Sequence, residues 1–235
     1  MSAVETPIEA PLDAPKRPAV RPPTGLGKAT VIVLWIYGAT LALELLSQVV
    51  AMQQLSGLSP DTAANLFDLS TTLGDLGAML ALPFLLRLAV MIGTIILVAV
   101  WIYQANATAK KLAKNKEVSP AWAVGWYFIP IANLWKPFQA MDETWKISTE
   151  PMRWKTQDTP GLLRFWWGLW LGGSFVGNFL FRLGGSATNA GNVLELRVVW
   201  GLYDVMLIAG VVCLIRIVGE ITKRQAAAVS RNVFD

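Results

Sequence analysis

The sequence predicts an all-α integral membrane protein with four transmembrane helices and a Pro-broken aromatic cytoplasmic segment, re-entrant or interfacial, between the second and third. Three observations predict it. Of the 235 residues 54% are hydrophobic and only 15% charged, whereas a helix in water needs a polar stripe along its length. The apolar residues are gathered into runs: 29–43 and 88–103 carry no charge, and such runs approach the ~20 residues that cross a bilayer. Lastly, the basic residues alternate along the chain in the way four crossings demand.

What is missing narrows the function classes. The chain has no histidine, and Cys213 is its one cysteine. A Ser-His-Asp triad, imidazole metal ligation, an intrachain disulfide and a Cys-x-x-Cys pair are all excluded. No cofactor and no metal set is expected, and Cys213 reads as a small buried hydrophobe. The net charge of +4 is explained by membrane topology, so nucleic acid is not an expected partner.

Residues 1–27 hold Pro7, Pro11, Pro15, Pro18, Pro22 and Pro23, and proline at that density predicts a disordered tail. No clear adaptor motif stands out in it, and a cleaved signal peptide is not expected because the next apolar run is long and starts late. A single membrane domain spans 28–222. Its first crossing is about 29–52, where eleven Val, Ile and Leu residues supply about −5 kcal/mol of insertion energy against at most ~+3 for Glu44. A polar connection follows over 53–77, with Asp61, Asp68 and Asp75 and no basic residue. Ser59-Pro60 there reads as the start of a short surface helix whose aspartates share a solvated face.

The second crossing is about 79–103, with Pro83 and Arg87 near its start. The third, about 165–181, is uncharged and glycine-rich. Its Gly168/Gly172 and Gly173/Gly177 pairs let another helix approach closely, either within the chain or in a membrane-protein partner or second copy. The fourth is about 198–218. Its twelve Val, Leu and Ile residues give about −6 kcal/mol, offset by Asp204 and Arg216 towards opposite ends. Residues 223–235 form a tail. Sixteen basic residues fall in the two tails and the 104–164 segment, and two in the other connections. Tails and central segment are therefore expected in the cytoplasm.

The segment 119–148 contains an uncharged stretch from Ala121 to Trp135, which raises a fifth crossing. Pro130 and Pro137 argue against it, because each removes a helix hydrogen bond that lipid does not replace. Trp122, Trp126, Tyr127 and Trp135 suit headgroup depth. Trp135, Phe138, Met141 and Trp145 recur every three or four residues, with Asp142, Glu143 and Lys146 on another face, which predicts an amphipathic surface helix. Lys110, Lys111, Lys114 and Lys116 suit anionic lipid headgroups at ~1 kcal/mol per charge.

Here the chain resembles a family of bacterial membrane proteins known as domain of unknown function 4328. The matching positions are Trp101, Asn106, Ser119, Pro120, Trp122, Gly125, Trp126, Pro130, Asn133, Trp135, Lys136 and Pro137. The resemblance implies a multi-span protein of the bacterial inner membrane and attaches no activity to it.

Ionisable residues inside spans are the candidate site. Glu44 and Arg87 would each lie ~12 Å deep and Asp204 ~9 Å deep on the same side. The three could meet in one polar cluster for a proton, cation or anionic headgroup. A structural ion pair, with Arg87 snorkelling outward and Asp204 near the interface, is the simpler account. Arg216 and Glu220 read as an ordinary helix pair. Asn106, Asn133 and Lys136 are expected to hold the aromatic turn, with Lys136 in reach of lipid phosphate. The expected function is a non-enzymatic scaffold or accessory subunit. A small transporter or channel built on Glu44, Arg87 and Asp204 is the first alternative, and a lipid-modifying enzyme using Asp142 or Glu143 the second.

Overall fold

The computed structural model of the chain describes residues 22–56, 66–113, 117–184 and 190–234. Every regular element among them is helical. In chain order these are α1 (Thr24–Ser56), α2 (Leu66–Leu112), α3 (Pro120–Gly125), α4 (Lys136–Thr149), α5 (Gly161–Gly184) and α6 (Ala190–Phe234), with 3-10 turns at Trp126–Phe128, Ala132–Leu134 and Trp154–Thr156. The tail through Arg21, Asp61, Lys114 and Lys116 lie outside the described residues, as do the side chains of Asp68 and Asp75.

The helices run further than the apolar runs that nucleate them. Helix α1 begins at Thr24, directly after Pro22-Pro23, so the tail ends sooner than 27. The polar connection is shorter than expected too: Leu66 to Gly77 continue into the second apolar run as one 47-residue helix. Pro83 lies within that helix, which lipid-spanning helices tolerate when neighbours re-satisfy the freed carbonyl. The 223–235 tail is likewise helical to Phe234. Among the described residues three stretches are long and apolar enough to cross a membrane: Thr24–Val50, Leu85–Leu112 and Val198–Ser230. Helix α5 is not among them, since its tryptophans, glycines, Ser174 and Asn178 dilute its apolar content. Ile32, Trp35, Leu46, Ile96 and Leu202 face outward from the three spans, the inverse of a soluble bundle and the surface that lipid requires.

Lipid removes the hydrophobic drive between helices, so packing depends on close approach. Helices α1 and α6 are antiparallel, and small residues mark their whole contact. Gly201 faces Leu45, Gly38 faces Val211, and Gly27 lies against Thr222. Helix α2 packs on α1 and, more lightly, on α6; α5 packs on α6. Gly173 meets Met206 and Leu207, Gly177 meets Tyr203, and Gly210 meets Leu169. The second glycine pair therefore serves this chain's own α6. Gly168 faces open space, and Gly172 touches only Met206, at 3.9 Å.

The 119–148 stretch is broken into pieces too short to cross. Ser119 caps α3 by accepting the Trp122 N–H, and Pro120 starts that helix. Pro130 lies between the two 3-10 turns, and Pro137 lies in the first turn of α4, where a missing N–H costs nothing. Helix α4 is not a surface helix. It packs on α2 and α6 and buries Ala140, Met141, Glu143, Thr144, Trp145 and Ile147.

A Cβ at position 27 would come within 2.5 Å of the Thr222 hydroxyl, whereas one at Gly25 meets nothing within 4 Å. Gly27→Ala is expected to lower stability by about 1–3 kcal/mol. Gly25→Ala should be neutral or slightly stabilising. Thermal unfolding of the two variants in detergent checks the contrast.

Candidate functional site

The three intramembrane ionisable residues meet. Glu44 comes from α1, Arg87 from α2 and Asp204 from α6. One guanidinium nitrogen of Arg87, Nη1, lies 2.6 Å from Glu44 Oε2 and 3.3 Å from Asp204 Oδ1. The Asp204 side chain is 0% exposed and Arg87 11%, so Asp204 is not at an interface and Arg87 does not snorkel away. Guanidinium suits this task, being planar, permanently charged and weakly hydrated. The site holds two carboxylates and one cation. Asp204 Oδ2 is buried and has no hydrogen-bond partner among the described residues. Tyr37 and Tyr203 border Arg87. The sequence does signal Tyr37, which stands two helical turns before Glu44 on one face of α1.

An apolar cleft of about 400 Å³, whose lining begins about one helical turn beyond Arg87 at Met91 and beyond Asp204 at Leu207 and includes none of the three charged residues, is within the ~300–1,000 Å³ usual for small-molecule sites. Its walls are Met91, Ile95 and Val98 of α2, Trp170 of α5, and Leu207 and Gly210 of α6. Helices α2 and α5 make at most marginal contact with each other. The cleft occupies that gap, with the α1–α6 pair behind it. Ile95 and Phe128, both more than half exposed, stand at its lip.

The signature positions build the end of the bundle below the cleft. Trp101 is fully buried and donates through Nε1 to the Thr222 hydroxyl at 3.2 Å. Asn106 is equally buried; its amide donates to the Ile102 carbonyl while its oxygen has no partner among the described residues. Asn133 Oδ1 is unpartnered in the same way. Trp122 stacks on Trp126 at 4.4 Å, and a Cβ on Gly125 would press the Trp122 ring at 3.2 Å. Lys136 sits 5.9 Å from the Trp126 ring centre and donates to Gln139. Trp135 stays half exposed. Trp167 Nε1 donates to the Leu134 carbonyl, fastening the segment to α5. Lys110 and Lys111 remain exposed.

Two expected faces change. Glu143 is not solvated: it is 4% exposed and accepts the Val118 N–H at 3.1 Å and the Gln139 amide. Asp142 pairs with Lys146 at 2.7 Å. Glu220 pairs with Arg224 rather than Arg216, since Arg224 is drawn to the Trp145 ring at 4.4 Å and to Thr149. Sequence reasoning missed Gln225, buried and donating to the Ala105 carbonyl at 2.8 Å. Its signal is a glutamine one turn beyond Ile221 on the buried face of α6.

An α-helical membrane protein with a buried ionic triad is the class this fold and site define. The chain belongs to the family described as Domain of unknown function (DUF4328), whose profile matches residues 62–223. The match takes in Arg87 and Asp204 but not Glu44 on α1. No curated protein and no solved structure matches the chain.

Removing one partner of a buried ion pair costs ~3–5 kcal/mol, mostly through the charge left behind. Arg87→Leu alone should therefore strongly destabilise the protein. Adding Glu44→Gln and Asp204→Asn should recover much of the loss. Unfolding in a denaturing detergent titration checks the sequence of variants.

Proposed function

We propose that the protein is a non-enzymatic, four-span protein of the bacterial inner membrane that carries a small solute through the α2–α5 cleft under control of the triad. The observation that carries this is the meeting of Glu44, Arg87 and Asp204 about one helical turn from a ligand-sized cavity, lined by Met91 and Leu207 on the same two helices. Intramembrane charges are costly and mark functional paths, and Asp204 Oδ2 has no hydrogen-bond partner among the described residues.

Register supports α5 as the fourth crossing. Leu169, Gly173 and Gly177 lie against Gly210, Leu207 and Tyr203, inside the Val198–Ser230 stretch of α6. A helix that runs alongside a spanning helix at that level shares its depth. Four crossings and the sixteen-to-two basic bias support cytoplasmic termini. The aromatic segment is then the inner-face element. Phe128 and Ile131, at 78% and 72% exposure, dip into the headgroup region beside Lys110 and Lys111 and their anionic lipids.

A scaffold or accessory role is the second reading. It draws on the outward Phe175, Phe179 and Phe181 of α5 as a face for a membrane partner or second copy. Of the two glycine pairs offered for such contacts, Gly173/Gly177 is taken up by α6, whereas Gly168 faces open space and stays free for a partner helix. The lipid-enzyme alternative loses ground because Glu143 and Asp142 are engaged in helix contacts.

Purified protein in vesicles is expected to move at least one of proton, Na⁺, K⁺ or tetraphenylphosphonium faster than empty vesicles. Asp204→Asn, which leaves Arg87 paired with Glu44, should abolish that flux while the protein still unfolds cooperatively, at a melting temperature lowered less than in Arg87→Leu. Background flux of all four ions, or flux indifferent to Asp204→Asn, overturns the proposal. A fluorescent protein fused after Asp235 should fluoresce, and alkaline phosphatase fused there should be inactive; the reverse pattern sinks the topology.

A further inference from the structure

We propose that the cleft holds one acyl chain of a membrane phospholipid, seated lengthwise between α2 and α5. The inference goes beyond the solute reading, since it names a resident that must leave before a solute passes. Shape comes first. On α2 the lining residues are Met91, Thr94, Ile95, Val98, Ala99 and Ile102. Their spacing of three, one, three, one and three marks a single helix face over three turns. With the rise of an α-helix that face is ~16 Å long, close to the ~15 Å of hydrocarbon in one leaflet. On α6, which runs parallel to α2, the lining extends from Met206 to Leu214. The cleft is therefore a slot along the helix axes.

Depth and chemistry name the occupant. Ile95 stands at the lip, 56% exposed, and lies well inside the Leu85–Leu112 stretch. The mouth thus opens at the level of hydrocarbon, where water is absent. None of Glu44, Arg87 and Asp204 lines the slot, so a charge on the occupant would go unanswered. Two of its few polar side chains are already engaged: the Thr94 hydroxyl donates to the Val90 carbonyl, and Tyr37 accepts from Arg87. Water finds too few partners there to stay. Left empty, the lining would forgo dispersion contacts around about 400 Å³, which is costly. A helix of a partner, ~10–12 Å across, is too wide for a space of that volume. What the mouth meets from outside is lipid chain, which has the length, flexibility and apolarity to fill the slot.

The floor orients the chain. Val124, Tyr127 and Phe128 of the aromatic segment line the slot, and Trp167 fastens that segment to α5 through the Leu134 carbonyl. Beyond Ile102, on the same side, α2 ends in the exposed Lys110 and Lys111, whose charge attracts lipid phosphate. A phospholipid of that leaflet keeps its headgroup on the lysine side and runs its methyl end towards Met91.

The experiment places the full chain in phosphatidylglycerol vesicles doped with a phosphatidylcholine that carries a mid-chain diazirine. After irradiation the labelled residues are mapped by mass spectrometry. Trp166 and Val211, 4% and 8% exposed, line the slot, so label on them reports a chain inside it. Both should be labelled, as should Ile32 and Leu202, which face outward and meet any surrounding lipid. Ala99→Phe and Gly210→Leu each put bulk into the slot, and a Cβ at Gly210 meets Leu169 at an ordinary 3.9 Å. Each variant should lose the label on Trp166 and Val211 and keep it on Ile32 and Leu202. Gly168→Leu, whose Cβ meets nothing within 4 Å, should be labelled as wild type. Label confined to the outward residues, or label on Trp166 and Val211 that persists in both slot variants, overturns the inference. Label in the slot without ion flux sinks the solute reading alone, and ion flux from a protein whose slot takes no label sinks this one alone.

Discussion

Arg87 held between Glu44 and Asp204 is the interaction on which the rest of the arrangement depends. A charge buried in lipid must be answered locally, because no water is present to answer it. Here the answer comes from two other helices, at 2.6 Å and 3.3 Å, so α1, α2 and α6 are tied at one level. That tie sets the axial register of the parallel pair α2 and α6. Arg87 lies opposite Asp204, Trp101 opposite Thr222, and Ala105 opposite Gln225. Each later contact is a hydrogen bond that the same alignment delivers.

Small residues provide the closeness that lipid does not drive. Gly27, Gly38 and Gly201 let α1 and α6 touch along their common length, and Gly173 with Gly177 seats α5 on α6. Two helices thus rest on a central pair without closing on each other, and the cleft is the space left between them. Its floor is the aromatic segment, fastened by the Trp167 bond to the Leu134 carbonyl and by Trp167 stacked on Trp170 at 4.7 Å. The triad lies about one helical turn beyond Met91 and Leu207 of the cleft wall, so charge is kept behind an apolar lining.

Much of this was legible in the residues. Apolar runs without charge require lipid, and the clustering of lysine and arginine states an orientation. Glu44, Arg87 and Asp204 could be placed at matching depth by counting residues from span ends, since helical rise is constant. Pro130 and Pro137 announced that the aromatic stretch does not cross as one helix, because an imino nitrogen belongs at helix starts and turns. What counting could not reach was azimuth. Depth places a residue along a helix and says little about which neighbour it faces. For that reason Glu143 was read as solvated when it caps Val118, and Glu220 was given to Arg216 when Trp145 and Thr149 draw Arg224 into place.

The sequence by itself determined the solvent, the helical class and the family, since each follows from local composition or from a contiguous block of residues. Tertiary structure alone decided that the three ionisable residues form one triad, that Gly173 and Gly177 face α6, and that a cleft opens between α2 and α5. These are properties of distance between helices far apart in the chain. They arise from how small side chains and one buried guanidinium orient whole helices about one another, and no single segment contains that information.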